Sequence, residues 1–450
     1  APHPDPLVQA KLEWFQDQKF GLLMHWGPYT QWQIVESWSL CPEDENWCER
    51  RGEHAADYFA YKAAYEDLKT TFDPVDFDPE PWAEAAWAAG MRYVVFTTKH
   101  HDGFCMFDTR QTDYKITDPG CPFSGDPRAD VTREIFTAFR DRGFGVGAYF
   151  SKPDWHSPDY WWPYFPPFDR NPNYDLTRYP ERWERFKTFT YEQIRELMSG
   201  YGPVDILWLD GGWVQPMTGT SPRWGKAPCD QDIDMPRIAA MARSLQPGLI
   251  IVDRAVEGAY QDYRTPEQEI PESPPPYVWE TCMTMATSWT YEATDTYKPT
   301  GQLVRTLVEI VAKGGNLLLN IGPSAEGRWA PDAYDRLEGL AAWMAVNGDA
   351  IHRTRSVAPY QEGPVRYTRG TDGSINAIVL GQDDQAGLPS TVVITAFVPA
   401  PGSEVTMLGT SGAIPWEPAG EGFVIRVPAT VQADPPCGHA WVFRFREGGS

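Results

Sequence analysis

No run of about 18 apolar residues occurs among the 450, so no segment reads as a membrane-spanning helix. Basic residues are scarce. Thirty-nine Lys and Arg stand against 62 Asp and Glu, a formal charge of −23, which argues against nucleic acid and anionic membrane surfaces as partners. The seven cysteines include no C-x-x-C pair, which disfavours zinc ribbons and thioredoxin-type redox sites. Their odd number fits no closed disulfide framework, although Cys41 and Cys48 share the loop-like stretch SLCPEDENWCER, and a bridge between them stays open. The first residues show no basic-then-apolar leader, and the chain opens on Ala1, which predicts that an upstream piece was trimmed or replaced. The compartment stays open between secreted or periplasmic and cytoplasmic. Internal repeats are absent, and the only biased tracts are Pro-rich loops at 161–173 and 271–276.

Aromatic residues are abundant: 20 Trp, 21 Tyr and 21 Phe within a 42% hydrophobic share. That load builds a large core and rules out a disordered chain. An acidic surface rich in aromatics also suits a neutral, polar, ring-shaped ligand such as a sugar.

Short apolar runs recur at 19–27, 92–103, 145–151, 204–211, 249–255, 277–282 and 316–322. Each is β-branched or aromatic and ends in Gly or polar residues, as strands buried on both faces do. Amphipathic segments lie between them at 81–90, 131–143, 180–198, 235–245, 301–313 and from Pro331. Strands alternating with helices predict a (β/α)8-like, TIM-type barrel, irregular or lacking a helix, over residues 1–354. An open doubly wound sheet is the runner-up, weakened because no G-x-G-x-x-G follows the first strand. From 355 to 450 the texture changes to short alternating strands separated by Pro and Gly, which predicts a C-terminal antiparallel β-sandwich.

A barrel of this type carries its chemistry at the C-terminal strand ends. The run ends supply His25, Lys99-His100-His101-Asp102, Tyr149, Ser151, Trp208, Asp210, Asp253 and Arg254, and the sixth run carries Trp279 and Glu280. Strand alternation puts Trp208 and Asp210 on one face. An aromatic plane beside a carboxylate is what a glycosidase subsite needs. Hydrolysis needs a second carboxyl group, and Glu267, in the loop DYRTPEQEIPE, can supply it. Adjacent His100 and His101 should point to opposite faces of a strand, and no H-E-x-x-H or H-x-H accompanies them, so no metal site is expected.

Four stretches carry a family resemblance: KFGLLMHWGPYT, RYVVFTTKHHDGFCMFDT, VDILWLDGGW and GGNLLLNIGPSAEG. In this order and at strand ends, the chain resembles the α-L-fucosidases of glycoside hydrolase family 29. The resemblance spans the N-terminal ~350 residues and implies a barrel followed by a β-sandwich. It implies an exo-acting, retaining enzyme that removes terminal α-L-fucosyl units from oligosaccharides or glycoconjugates by double displacement, without a cofactor. Asp210 would be the nucleophile and Glu267 the acid/base, with Glu280 as competitor for that role. His25, His100, His101, Tyr149, Trp208 and Arg254 match fucose-binding positions, with Phe150 the alternative to Tyr149. Glu36 and Trp38, in Glu36-Ser37-Trp38, share a further contact that stays open between them. Leaving-group contacts, and with them the linkage preference, are expected on loops 41–53, 157–175 and 214–231. A catalytically inactive fucose-binding protein, or a related barrel glycosidase for an α-galactoside or β-arabinoside, is the alternative. No oligomeric state is implied.

Overall fold

A computed structural model describes residues 2–448. Helix α1 (Pro6–Gln18) comes first, capped by Asp5, whose side chain accepts from Leu7 N–H. Strand β1 (Phe20–Met24) follows, then α2 (Tyr58–Asp67), α3 (Pro79–Ala88), β2 (Tyr93–Lys99), α4 (Val131–Asp141) and β3 (Gly145–Ser151). Next come α5 (Pro180–Gly200), β4 (Ile206–Asp210), α6 (Met235–Leu245), β5 (Ile250–Asp253), β6 (Glu280–Thr284), α7 (Thr300–Ala312), β7 (Asn316–Asn320) and α8 (Pro331–Asn347). Periodicity anticipated all seven strands and six of these helices. It missed α1 and α2, whose apolar stripes are narrow: only Val8, Leu12 and Phe15 are buried in α1, and Tyr61 and Tyr65 in α2.

The seven strands form one parallel sheet in the order β5-β4-β3-β2-β1-β7-β6. Its curl and flanking helices make a TIM-barrel-like core. No helix joins β5 to β6. Residues 260–268 run there instead, bonding to both strands: Asp262 N–H donates to Ile251 O, Arg264 N–H to Val278 O and Gln268 N–H to Cys282 O. The segment expected to be a loop around Glu267 is a loop, pinned beside β6 by isolated bridges that set Glu267 opposite Cys282.

Strand alternation divides the core in two. Leu23, Val95, Tyr149, Trp208, Val252 and Leu318 share one apolar cluster with Val8, Leu12 and Phe15 of α1. Phe15 stacks on Tyr263 at 4.3 Å and meets Tyr93 edge-on at 5.4 Å, so α1 seals that cluster. The other strand faces join the larger cluster under the helices.

The C-terminal part contains β8 (Arg355–Glu362), β9 (Val365–Arg369), β10 (Ile375–Leu380), β11 (Thr391–Ile394), β12 (Thr406–Met407), β13 (Trp416–Ala419), β14 (Gly422–Arg426), α9 (Ala429–Ala433) and β15 (Ala440–Phe445). They form antiparallel sheets ordered β12-β15-β10-β9-β8 and β11-β14-β13. One core holds Ile375, Ala377, Trp441 and Phe443 of the first sheet with Ile394 and Phe423 of the second. The positions between them do not face water. Ile378, Ala440 and Val442 join the barrel's cluster, because α7 and α8 cover that face. Trp343 Nε1 donates to Ala440 O at 3.0 Å, and Arg366 pairs with Glu309 of α7.

Cys41 and Cys48 carry free thiols, and Cys48 Sγ donates to Trp38 O. Among the described residues no helix is long and apolar enough to cross a membrane.

Candidate active site

The C-terminal strand ends open into a cavity of about 650 Å³. Its lining includes His25, Glu36, Trp38, His100, His101, Tyr149, Trp208, Asp210, Arg254 and Glu267. Ten of the residues to which the resemblance gives a role therefore meet in one place, whereas Glu280 and Phe150 lie outside the lining.

Asp210 ends β4, and Gly211 after it has φ +86°, where an added Cβ would lie 2.3 Å from Pro153. Only glycine suits that turn, so the chain leaves the strand abruptly and the carboxylate stands at its tip. Tyr149 OH donates to Asp210 Oδ2 at 2.7 Å, and Arg254 Nη1 donates to Oδ1 at 3.2 Å. His101 Nε2 lies 3.9 Å from Oδ2. Burial alone would raise the pKa of this carboxyl group. Arg254, His101 and the Tyr149 hydroxyl outweigh burial and hold it well below the usual carboxylate range. The group is a pre-ionised, aimed carboxylate.

Arg254 also donates through Nη2 to Glu267 Oε2, so one guanidinium joins the two carboxyl groups. Its charge lies 5.2 Å from the Trp208 ring centre. The Glu267 side chain is 42% exposed and that of Asp210 is 17%. One carboxylate is thus enclosed while the other stands nearer the opening.

The three histidines form a contiguous wall. His100 and His101 have ring centres 4.2 Å apart, and His25 and His100 are 5.6 Å apart. The expected opposite orientation fails because β2 ends at Lys99, after a register shift between Thr97 and Lys99. Both histidines lie beyond the pleat and turn to the same side. Each is held by one neighbour: His25 Nδ1 by Asn320 Oδ1 at 2.8 Å, His100 Nδ1 by Ser37 Oγ at 2.6 Å, and His101 Nδ1 by Ser151 Oγ at 2.8 Å. Burial lowers all three pKa values, that of His101 to about 4, so these rings are neutral hydrogen-bonding groups near pH 7.

Glu36 precedes a 3₁₀ turn, Ser37–Leu40, which carries Trp38. Its Oε2 is buried with no hydrogen-bond partner. Burial, reinforced by the charges of Glu267 and Asp210, pushes its pKa up to about 8. It is a neutral carboxylic acid, able to donate, beside an ionised one. Both members of the Glu36/Trp38 alternative line the cavity. Tyr149 does so too, whereas Phe150 lies under the buried Lys99 ammonium at 4.2 Å.

Glu280 begins β6 rather than ending it, and is fully buried. Tyr93 OH donates to Oε2 at 2.5 Å and Trp208 Nε1 to Oε1 at 3.1 Å. Burial raises its pKa to about 7. It supports Trp208 from behind and does not line the cavity.

Trp47, Arg170 and Trp224 also line the cavity, one from each of the loops 41–53, 157–175 and 214–231 expected to carry leaving-group contacts, whereas sequence reasoning passed over Trp213 and Trp289, which line it too. Trp213 lies within the quoted VDILWLDGGW stretch, three residues after Asp210, and was the one recoverable from its position. Trp289 sits on a connecting segment whose place in space no spacing specifies. Trp26 and Trp279, also near run ends, belong to the core.

Among the described residues, two groups bring metal-ligating atoms within 4.8 Å of one another: His25, Glu36 and His100, and His100, His101 and Asp210. Both draw on side chains of the same wall, and Asp210 is already engaged by Arg254 and Tyr149.

Comparison with known proteins gives a consistent result. The family model described as "Alpha-L-fucosidase" matches residues 2–349, and that of the "Alpha-L-fucosidase C-terminal domain" matches 359–446. An alpha-L-fucosidase of Branchiostoma floridae is 29% identical over 99% of this chain and 95% of its own length. The human tissue alpha-L-fucosidase is 27% identical, over 96% and 88%. The solved structure of alpha-L-fucosidase isoenzyme 1 from Paenibacillus thiaminolyticus superposes with a TM-score of 0.76 at 29% identity, covering 98% of this chain and all of that one. A Thermotoga maritima alpha-fucosidase in complex with a mechanism-based inhibitor gives a TM-score of 0.72 at 25% identity, over 99% and 100%.

Proposed function

The chain belongs to the alpha-L-fucosidase family, and we propose that it is an exo-acting, retaining α-L-fucosidase that uses Asp210 as nucleophile and Glu267 as acid/base. The observation that carries this is the Arg254 guanidinium joined to both carboxylates, one enclosed and one near the opening. A shared guanidinium supports the short separation, about 5–5.5 Å, on which retaining enzymes rely. We read the chain as a (β/α)8-like barrel over 1–354 and a β-sandwich over 355–450, the barrel supplying the whole site.

In the first step Asp210 attacks C1 of the fucosyl unit as the bond to the departing oxygen breaks and Glu267 gives that oxygen a proton. In the second, Glu267 takes a proton from water, which attacks C1 and releases Asp210. Tyr149 and Arg254 steady the Asp210 carboxylate between these events. His25, His100 and His101, neutral and fixed in orientation, pair with sugar hydroxyls, and Trp208 offers its ring to the C–H face. Trp38 closes the wall beside His101, edge-on at 5.4 Å. No cofactor enters this scheme.

A panel of nitrophenyl glycosides tests the reading. The α-L-fucoside is expected to exceed the α-galactoside and β-arabinoside by about 100-fold or more in kcat/KM. Equal or higher rates on another sugar, or binding of the fucoside without turnover, would sink it.

Glu36 supplies a pH prediction. Below about pH 8 it keeps its proton and donates to the sugar; above that it ionises next to Asp210 and Glu267. The ratio kcat/KM should therefore fall as pH rises through about 8. Glu36→Gln should lower activity but remove this alkaline limb. An unchanged limb in the variant would refute the assignment.

A further inference from the structure

A second cavity, of about 580 Å³, adjoins the catalytic one. Val35 and Trp47 line both. The walls found only in the second are mainly polar, with Gln33, Asn46, Arg51 and Glu292 among them.

Trp47 is 54% exposed, yet it is held in place. Its Nε1 donates to Glu45 Oε2 at 2.9 Å, and Glu45 pairs with Arg170. The Arg170 guanidinium lies 5.0 Å from Trp38 and 5.1 Å from Trp213, both walls of the catalytic cavity. Trp47 itself meets Trp38 edge-on at 5.3 Å. The catalytic wall thus positions an indole whose own N–H is already satisfied. What the ring still offers is apolar area, and apolar area left in water is unfavourable until something covers it.

A fixed aromatic plane flanked by hydrogen-bonding side chains suits a pyranose. The C–H face of the sugar stacks, and its hydroxyls meet the polar walls. A wholly apolar ligand would leave those polar walls unpaired. We propose that the catalytic cavity continues over Trp47 into the second cavity, which binds the second and third sugars of the leaving group. This rests on the fucosidase reading and deepens it: the substrate class becomes an extended fucosylated oligosaccharide rather than a fucosyl disaccharide. An exo-acting enzyme holds one sugar in the closed part of its site, so further affinity must come from the leaving-group side.

The test compares kcat/KM for p-nitrophenyl α-L-fucoside, a fucosyl disaccharide and a fucosylated tetrasaccharide of the same fucosyl linkage. With the unaltered protein, the tetrasaccharide should exceed the disaccharide by about tenfold. Trp47→Ala should lower the ratio of tetrasaccharide to nitrophenyl fucoside by about tenfold. Glu292→Ala, altering only the polar wall, should lower that ratio in the same direction. Equal rates on disaccharide and tetrasaccharide, or equal losses on tetrasaccharide and aryl substrate in Trp47→Ala, would overturn the inference and leave the fucosidase reading standing. Failure to hydrolyse any of the three substrates would overturn both.

Discussion

Asp210→Gly is expected to lower kcat on p-nitrophenyl α-L-fucoside by roughly 10⁴-fold or more. No other carboxylate in the cavity replaces it. Glu36 holds its proton near neutral pH, and Glu267 stands nearer the opening. The variant should still fold. Arg254, which loses Asp210, keeps Glu267 as its partner, so no isolated buried charge results. An added small anion such as azide would fit the space vacated by the carboxylate and attack C1 directly. It should restore turnover of an activated fucoside and give a fucosyl azide of inverted configuration. Near-normal activity in Asp210→Gly, with an unchanged circular dichroism spectrum, would remove Asp210 from the mechanism.

The second large effect depends on the leaving group. Glu267→Ala should cost about 10²–10⁴-fold in kcat/KM on oligosaccharides, whose departing oxygen needs a proton. On a dinitrophenyl fucoside the departing phenolate is stable without one, and the loss in that first step should be far smaller. Glu280→Ala separates the two candidates. Glu280 is sealed between Tyr93 and Trp208 at the start of its strand, so it cannot reach a departing oxygen. Removing it should disturb Trp208 and reduce activity on both substrates alike. If Glu280→Ala instead shows the dependence on leaving group and Glu267→Ala does not, the acid/base assignment is wrong.

The two assignments were not equally legible. Asp210 could be read from sequence as a strand-end carboxylate because what sets it there is local: a short apolar strand, alternation that pairs it with Trp208, and a glycine at φ +86° that ends the strand. Glu267 was legible as a candidate but not in its setting. Its segment is a Pro-containing loop, as it looks, but one pinned by backbone hydrogen bonds along β5 and β6, because a sheet without a helix between those strands must satisfy its edge groups. Glu280 misled for the same reason in reverse. The apolar run 277–282 suggests that it ends a strand, whereas pairing with β7 starts at Glu280 itself.

The sequence by itself determined, Glu280 apart, which residues stand at strand ends, since the alternation of short buried strands and amphipathic helices is a local property of burial. It also determined that the C-terminal segment is antiparallel in character. Tertiary structure alone decided which way side chains turn once a strand has ended. His100 and His101 share a wall because β2 stops one residue before them. Tertiary structure likewise placed Trp47, Arg170 and Trp224 at the cavity from three separate connecting segments, with ion pairs from Arg170 to Asp44 and Glu45 and a hydrogen bond from Asn171 to the Trp224 carbonyl. Contacts between residues so far apart in sequence leave no periodic trace in a chain, so only folding shows them.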